Sequence, residues 1–272
     1  MSNLDEQYRK LEQTRMILNP RIITSKKDSI KRYFRNFQDV DLTNLEQKIK
    51  DTIILYRAPL IQIHGSNMTN WPTNNGDDIY IDINFLTKRE NDDIIKHQLT
   101  HEVMHSLCRR DNKKMMFGHE FDKNSEYLRG INEAVTQIFT DDIENKILSQ
   151  EEDYLYFVKN IMRVIKNLIG SSLLINQYLN NDMLFEEKFN EFTDNNFEDF
   201  AFIMNQIYKL SKEKYYRKIT LEEVGALSMY QDLILEFTNS LIKEVGSKEP
   251  GIYARIKEDF FNKDFLNRLV LN

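Results

Sequence analysis

Cysteine, proline and glycine are scarce in this chain of 272 residues, which contains one, four and eight of them respectively. A single cysteine excludes an internal disulfide and is typical of a protein from a reducing compartment. So few glycines and prolines leave little sequence for a flexible linker between parts of the chain. The 41% of hydrophobic residues is enough for a sizeable apolar core, so we expect one large domain or two small ones.

Long apolar runs and an excess of basic charge are also missing. The most apolar stretch, residues 161–175, is interrupted by Arg163, Lys166 and Asn167 and does not predict a transmembrane helix. The first ten residues lack the apolar core of a signal peptide. The net charge of −6 argues against general nucleic-acid binding. We therefore expect a cytoplasmic protein with no nucleic-acid or membrane partner, and no oligomeric state is favoured.

Hydrophobic periodicity predicts an α+β protein that is predominantly α-helical. Residues 1–57 and 149–272 read as helical regions, and the strand patterns fall between them, at residues 59–64 and 79–85. Capping boxes predict helix starts at Thr43 and Thr220. Gly170 predicts a break in the long helical pattern before residue 179, and the basic segment 209–218 reads as a loop.

Two histidines with metal-ligand spacing lie inside a predicted helix over residues 88–109. The sequence His101-Glu102-Val103-Met104-His105 has the HExxH pattern. Residues four apart on a helix lie on one face with Cβ atoms about 5–6 Å apart, which lets two imidazoles bind one Zn²⁺. Glu102 lies beside the ligand face, where a carboxylate acts as general base on a metal-bound water. The alternative is an exposed helix whose histidines have no function.

A catalytic zinc takes three protein ligands, so a third has to come from elsewhere. Downstream, an apolar stripe of Ile131, Val135, Ile138 and Phe139 predicts a helix that runs to about residue 148. Glu133 lies off that stripe, where its carboxylate can face the first helix. Glu120, in the connecting segment, is the rival third ligand.

The motif His101-Glu102-x-x-His105 followed by Asn132-Glu133-Ala134 resembles the Glu-zincins, the thermolysin-type clan of zinc peptidases. The resemblance covers residues 79–145. It implies a zincin-like fold with a small β-sheet next to the HExxH helix, and a catalytic core over residues 58–148. It also implies a zinc ion held by His101, His105 and Glu133, with Glu102 as the base and a peptide or protein as the substrate.

The pattern departs from thermolysin in two places. The gap between His105 and Glu133 is longer, and Gln137 stands where thermolysin has an acidic residue that orients a zinc histidine. Tyr127, six residues before Glu133, resembles the tyrosine with which lethal-factor-like zincins stabilise the oxyanion. We therefore expect Tyr127 to be a second catalytic residue, with His119 as its rival for oxyanion stabilisation or proton donation.

Three functions remain open from the sequence. The first is a zinc metalloprotease with Glu102 and Tyr127 as catalytic residues. The second is a catalytically silent binding protein on a zincin scaffold, which a fourth ligand from His97, Cys108 or His119 would favour. The third is a zinc hydrolase that acts on a non-peptide amide. A further alternative concerns strand 79–85, which is either an edge strand that pairs with an extended substrate or an ordinary inner strand.

Overall fold

The computed structural model describes residues 16–17, 20–50, 54–58, 73–75, 78–82, 92–108, 115–120, 122, 124–146, 154–252 and 254. These residues are mostly helical, with two small sheets, as predicted for an α+β protein at the coarse level. None of the described helices combines the length and the apolar character that crossing a membrane requires.

The chain forms two compact units. One comprises Met1–Lys114 with Phe139–Ile147, and the other comprises Met115–Ile138 with Leu148–Asn272. The division into regions 1–57, 58–148 and 149–272 stays a prediction.

The first unit contains a four-stranded sheet and the helix that carries the HExxH motif. Its elements in chain order are β1 (Met16–Ile17), α1 (Pro20–Phe34), α2 (Thr43–Lys50), β2 (Ile54–Ala58), β3 (Thr73–Asn75), β4 (Asp78–Asp82) and α3 (Asp92–Leu107). Helix α3 contacts α1, α2 and strand β3. The small sheet therefore lies next to the HExxH helix, as predicted.

The sheet corrects the helical interpretation of residues 1–57. Its strand order is β1-β2-β4-β3, and β2 runs parallel to β4 with Ile54 opposite Asp78. Residues 16–17 and 54–57, predicted to be helical, belong to strands. The error arose because the isoleucines at 49, 53 and 54 fit a helical period, while a short inner parallel strand has no period of its own. Helix α2 does begin at Thr43, as predicted.

Strand β4 is the observed part of the predicted strand 79–85. From Asp78 to Tyr80 it pairs with β2 on one side and with β3 on the other. This part is an ordinary inner strand and offers no edge to a substrate. Residues 83–85, the predicted strand 59–64 and the predicted helix start at 88–91 lie outside the described residues.

The described residues of the second unit are helical apart from one hairpin. The hairpin strands are β5 (Met115–Met116) and β6 (His119–Glu120), followed by a 3₁₀ turn at Ser125–Leu128. After helix α4 (Arg129–Glu144) come α5 (Tyr156–Ile169), α6 (Ser171–Asn180), α7 (Leu184–Thr193), α8 (Phe197–Tyr216) and α9 (Leu221–Lys248). Helix α4 contributes to both compact units, because the boundary between them falls after Ile138.

Local signals account for the helix boundaries in this unit. Gly170, at φ 134°, separates α5 from α6, as predicted. Thr220 and Glu223 form the predicted capping box at the start of α9. The segment 209–218, predicted as a loop, is helical through Tyr216, because charged and aromatic residues continue the amphipathic pattern of α8.

An aromatic cluster fills the core of the second unit. Phe189 packs against Phe197, Phe200 and Phe237, with ring centroids 4.9–5.8 Å apart. Phe117, at the tip of the hairpin, packs against Phe185 and Phe197. The tip of the hairpin is therefore packed into the core of this unit.

Candidate metal centre

Helix α3 brings two imidazoles together. The Nε2 atoms of His101 and His105 lie 3.0 Å apart, and their ring centroids are 4.7 Å apart. A tetrahedral metal with bonds of about 2.0–2.1 Å separates two of its ligand atoms by about 3.3–3.4 Å. The two nitrogens are thus close to the spacing that one shared ion requires. His101 is buried and His105 is half-buried, so the pair is reached from one side.

The opposite face of α3 is apolar. The helical period of the sequence predicts an apolar stripe of Ile95, Leu99, Val103 and Leu107, and the last three are each no more than 2% exposed. The side chain of the fourth, Ile95, lies outside the described residues. At 3.6 residues per turn, the stripe lies on the opposite side of the helix from the two histidines.

Glu133 differs from its neighbours on helix α4 in being partly exposed to solvent. From Gly130 to Asp141 every residue of α4 is buried except Glu133, which is half-buried. The four apolar residues of its predicted stripe are all 0% exposed, and the polar residues between them are buried as well. Solvent access in this run is thus confined to the one carboxylate that the sequence assigns to the metal.

The ligand atoms of His101, His105 and Glu133 all lie within 4.8 Å of one another, and the three residues form a group that can hold a metal ion. Two imidazoles and one carboxylate are also the donor set of a catalytic zinc site that keeps its fourth position for water. The donor chemistry therefore fits zinc. Glu120, the rival third ligand, is exposed at the end of β6 and is not in this group.

Within the described part of the chain, the group has only these three members. The candidates for a fourth ligand have other surroundings. His97 Nε2 lies 2.8 Å from Asp141 Oδ1, His119 Nε2 lies 3.0 Å from Glu186 Oε2, and Cys108 is buried. A three-residue donor set resembles an open catalytic site more than a closed structural one.

Glu102 and Gln137 are the remaining residues that the sequence assigns to the centre. Glu102 is half-buried on α3, directly after His101. Gln137 is 1% exposed on α4, one turn after Glu133. Their roles as base and as orienting residue stay predictions.

Tyr127 lies on the 3₁₀ turn and lines a cavity of about 520 Å³ in the second unit. The other lining residues are His119, Glu120, Asp122, Asn124, Ser125 and Glu198. Burial raises the pKa of the Tyr127 phenol above its ordinary value, and the negative charges of Glu198 and Glu186 raise it further. Tyr127 therefore keeps its proton at neutral pH and remains a hydrogen-bond donor. Tyr127 and His119, the two candidate oxyanion donors, line the same cavity.

His119 contacts a carboxylate that is itself held by an amide, and sequence analysis missed both residues. Glu186, on α7, approaches its Nε2 and also accepts a hydrogen bond of 3.4 Å from the amide nitrogen of Gln177. The amide oxygen of Gln177 accepts from the backbone N–H of Glu186 at 3.0 Å. Both residues are far from His119 in sequence, so no local pattern identifies them.

Asn132 has a structural role that the motif does not reveal. Its Oδ1 accepts a hydrogen bond of 2.9 Å from the backbone N–H of Phe117, at the tip of the hairpin. Phe117 and Gly118 both have positive φ, 48° and 89°, which are typical of a two-residue type I′ turn. A Cβ at Gly118 would meet Gln177 O at 2.8 Å. The helix that carries Glu133 thereby also fixes the hairpin that carries His119.

Comparison of the chain with family models, with curated proteins and with solved structures finds no match. The chemistry of the centre has to be argued from its own residues.

Proposed function

We propose that the protein is a zinc-dependent metallopeptidase of zincin-like fold. The observation that carries the proposal is the group of His101, His105 and Glu133, whose ligand atoms come from two helices and meet within 4.8 Å. The composition of this donor set is that of a catalytic site with an open position. The adjacent Glu102 supplies the one further group that hydrolysis at such a site needs.

Zinc bound here would supply a Lewis acid for the scissile carbonyl and lower the pKa of a bound water to near neutral, about 7. The residues of the chain do the rest. His101 and His105 would each hold the ion through one ring nitrogen and would leave the other ring nitrogen for a hydrogen bond. Glu133 contributes a negative charge that offsets part of the charge of the ion.

Glu102 moves the proton. A carboxylate next to the ligand face accepts a proton from the attacking water and then delivers it to the leaving amine. A purely structural metal site needs no such group, which favours the enzyme over the silent scaffold. The same arrangement also hydrolyses a non-peptide amide, so the class of substrate follows from the resemblance to zinc peptidases.

Tyr127 is our candidate for the oxyanion donor. Its raised pKa keeps the phenolic proton available at neutral pH. A neutral donor aimed at a developing oxyanion stabilises the transition state more than the ground state. His119 is the alternative, since its contact with Glu186 holds the ring in one orientation.

The proposal is tested with Glu102→Gln, which preserves shape and hydrogen bonding and removes the proton acceptor. Zinc-loaded wild-type protein is incubated with a broad peptide library, and cleavage is read by mass spectrometry. We expect the variant to keep the zinc content and melting temperature of the wild type. Its cleavage rate should fall by about 10²–10⁴-fold, the range ascribed to general acid–base catalysis.

Glu46→Gln is the matched control, because Glu46 is a half-buried glutamate on α2, as Glu102 is on α3, and does not belong to the metal group. This variant should cleave at the wild-type rate. Cleavage that survives in Glu102→Gln would show that Glu102 is not the base. Absence of cleavage by the wild-type protein across the library would favour the silent scaffold.

A further inference from the structure

We propose that the buried His97–Asp141 pair positions the metal centre by fixing the register of helix α4 along helix α3. His97 would then be a positioning residue that acts through α4, although it lies only one turn before His101. The inference rests on the proposed function, since it assumes that the centre binds zinc.

The pair is fully buried within the first unit. His97 Nε2 and Asp141 Oδ1 are 2.8 Å apart, and both side chains have 0% solvent exposure. Burying two polar side chains is costly unless they satisfy each other, so a shift of either helix that separates them is strongly disfavoured. The contact therefore selects one relative position of α3 and α4.

Residue spacing links this contact to the metal group. His97 lies eight residues before His105 on α3, and Asp141 lies eight residues after Glu133 on α4. Equal steps in opposite directions show that the helices run antiparallel, with the two contacts about 12 Å apart along each axis. His101 and Gln137 are the residues midway along these two spans. Sliding α4 by one residue along α3 would have two effects at once. It would break the contact between His97 and Asp141, and it would move Glu133 away from His101 and His105.

The apolar contacts of α4 cannot set this register alone. Hydrophobic burial is non-directional, and the stripe of Ile131, Val135 and Ile138 can remain buried after a small shift. A buried polar pair is directional, and fixing register is the best-attested role for such pairs. Thr100 adds a second bond between the same helices, since its hydroxyl donates to Glu144 Oε1 at 2.5 Å. That bond is only partly buried, and Lys26 also contacts the same carboxylate.

The test replaces the pair by leucines in a His97→Leu/Asp141→Leu variant and measures zinc affinity by competition with a chelator. Exchange of a buried polar pair for apolar residues often preserves stability, so a merely structural role predicts an unchanged zinc Kd. We expect the zinc Kd to rise by about tenfold or more. The visible absorption of the Co²⁺-loaded protein, which reports coordination geometry, should change as well.

Asp142 provides the matched control. It follows Asp141 on α4, and its Oδ2 accepts a hydrogen bond of 2.9 Å from Tyr33 OH on α1. Tyr33→Phe therefore removes an inter-helix bond of α4 that does not involve α3. Its zinc Kd should stay within about twofold of the wild type.

A zinc Kd within about twofold of wild type in the folded double-leucine variant overturns the inference. If that variant does not fold, the zinc Kd of Asp141→Asn is the deciding measurement. Its amide oxygen still accepts from His97 but more weakly, so we expect a rise of about threefold, and an unchanged Kd overturns the inference. Wild-type protein that binds no zinc would instead contradict the proposed function itself. The zinc Kd can be measured whether or not the protein cleaves peptides, so an absence of peptidase activity would not affect this test.

Discussion

At the scale of single residues, the structure groups Glu133, and not Glu120, with His101 and His105. Glu133 is the one half-buried residue in a run of α4 that is otherwise buried, and its carboxylate meets His101 and His105. Glu120 is exposed on the hairpin and lines the cavity of Tyr127. The same type of side chain therefore has two environments, and of the two glutamates only Glu133 belongs to the metal group.

This difference makes Glu133→Ala and Glu120→Ala a matched pair. We expect Glu133→Ala to weaken zinc binding by at least about 100-fold, because it removes a ligand and not merely an outer partner. Glu120→Ala should leave the zinc Kd unchanged. Chelator competition measures both constants, and the reverse order would show that the third ligand was assigned to the wrong carboxylate.

Tyr127 and His119 allow a second comparison at this scale. If Tyr127 is the oxyanion donor, Tyr127→Phe should lower kcat by about 10²–10³-fold, with zinc content unchanged. Because its pKa is raised above the ordinary value, the phenol remains protonated across the neutral range, and the loss should be the same from pH 6 to 9. His119→Gln should have the smaller effect. Steady-state kinetics on one cleaved peptide measure kcat for both variants. A larger loss of kcat in His119→Gln than in Tyr127→Phe would assign the role of oxyanion donor to His119.

At the scale of elements, helix α4 is placed by close backbone contact at one end and by polar pairs at the other. A Cβ at Gly130 would lie 2.6 Å from Met204 O and 2.8 Å from Asn205 N, both on the backbone of α8. The last turn of α4 carries Asp141, Asp142 and Glu144, which contact His97, Tyr33 and Thr100. The helix that presents Glu133 is thus fixed at both ends.

Gly130→Ala should therefore be destabilising, although alanine favours helices. We expect a loss of about 1–3 kcal/mol in the free energy of unfolding, because α4 and α8 would have to move apart. Gly225→Ala is the control on α9, where a new Cβ meets nothing within 4 Å. It should stabilise by about 0.5–1 kcal/mol. Denaturant unfolding of both variants measures the difference, and equal effects would contradict the close contact of α4 with α8.

The elements also show which parts of the account the sequence could predict. Helix α3 and the ligand face of α4 follow from local spacing, because positions four apart share a helix face whatever the rest of the chain does. Strand β2 could not be predicted in the same way, since an inner parallel strand depends on a partner distant in sequence. The partners of His97 and His119 were missed for the same reason: Asp141 and Glu186 are 44 and 67 residues away.

At the scale of the whole molecule, stability and metal binding are linked. A metal that binds only the folded chain stabilises it by mass action, by about 2.7 kcal/mol when the free metal is at 100 times its Kd. Removal of the metal should therefore lower the melting temperature. In His101→Ala, which lacks one ligand, zinc should have little effect on the melting temperature.

The central claim is that His101, His105 and Glu133 form one metal site, and zinc stoichiometry tests it most directly. Purified wild-type protein, and apo-protein incubated with zinc at neutral pH and desalted, should carry one Zn²⁺ per chain by elemental analysis. His101→Ala and His105→Ala should each carry far less while remaining folded. Wild-type protein without zinc after that incubation, or histidine variants that retain a full equivalent, would contradict the claim.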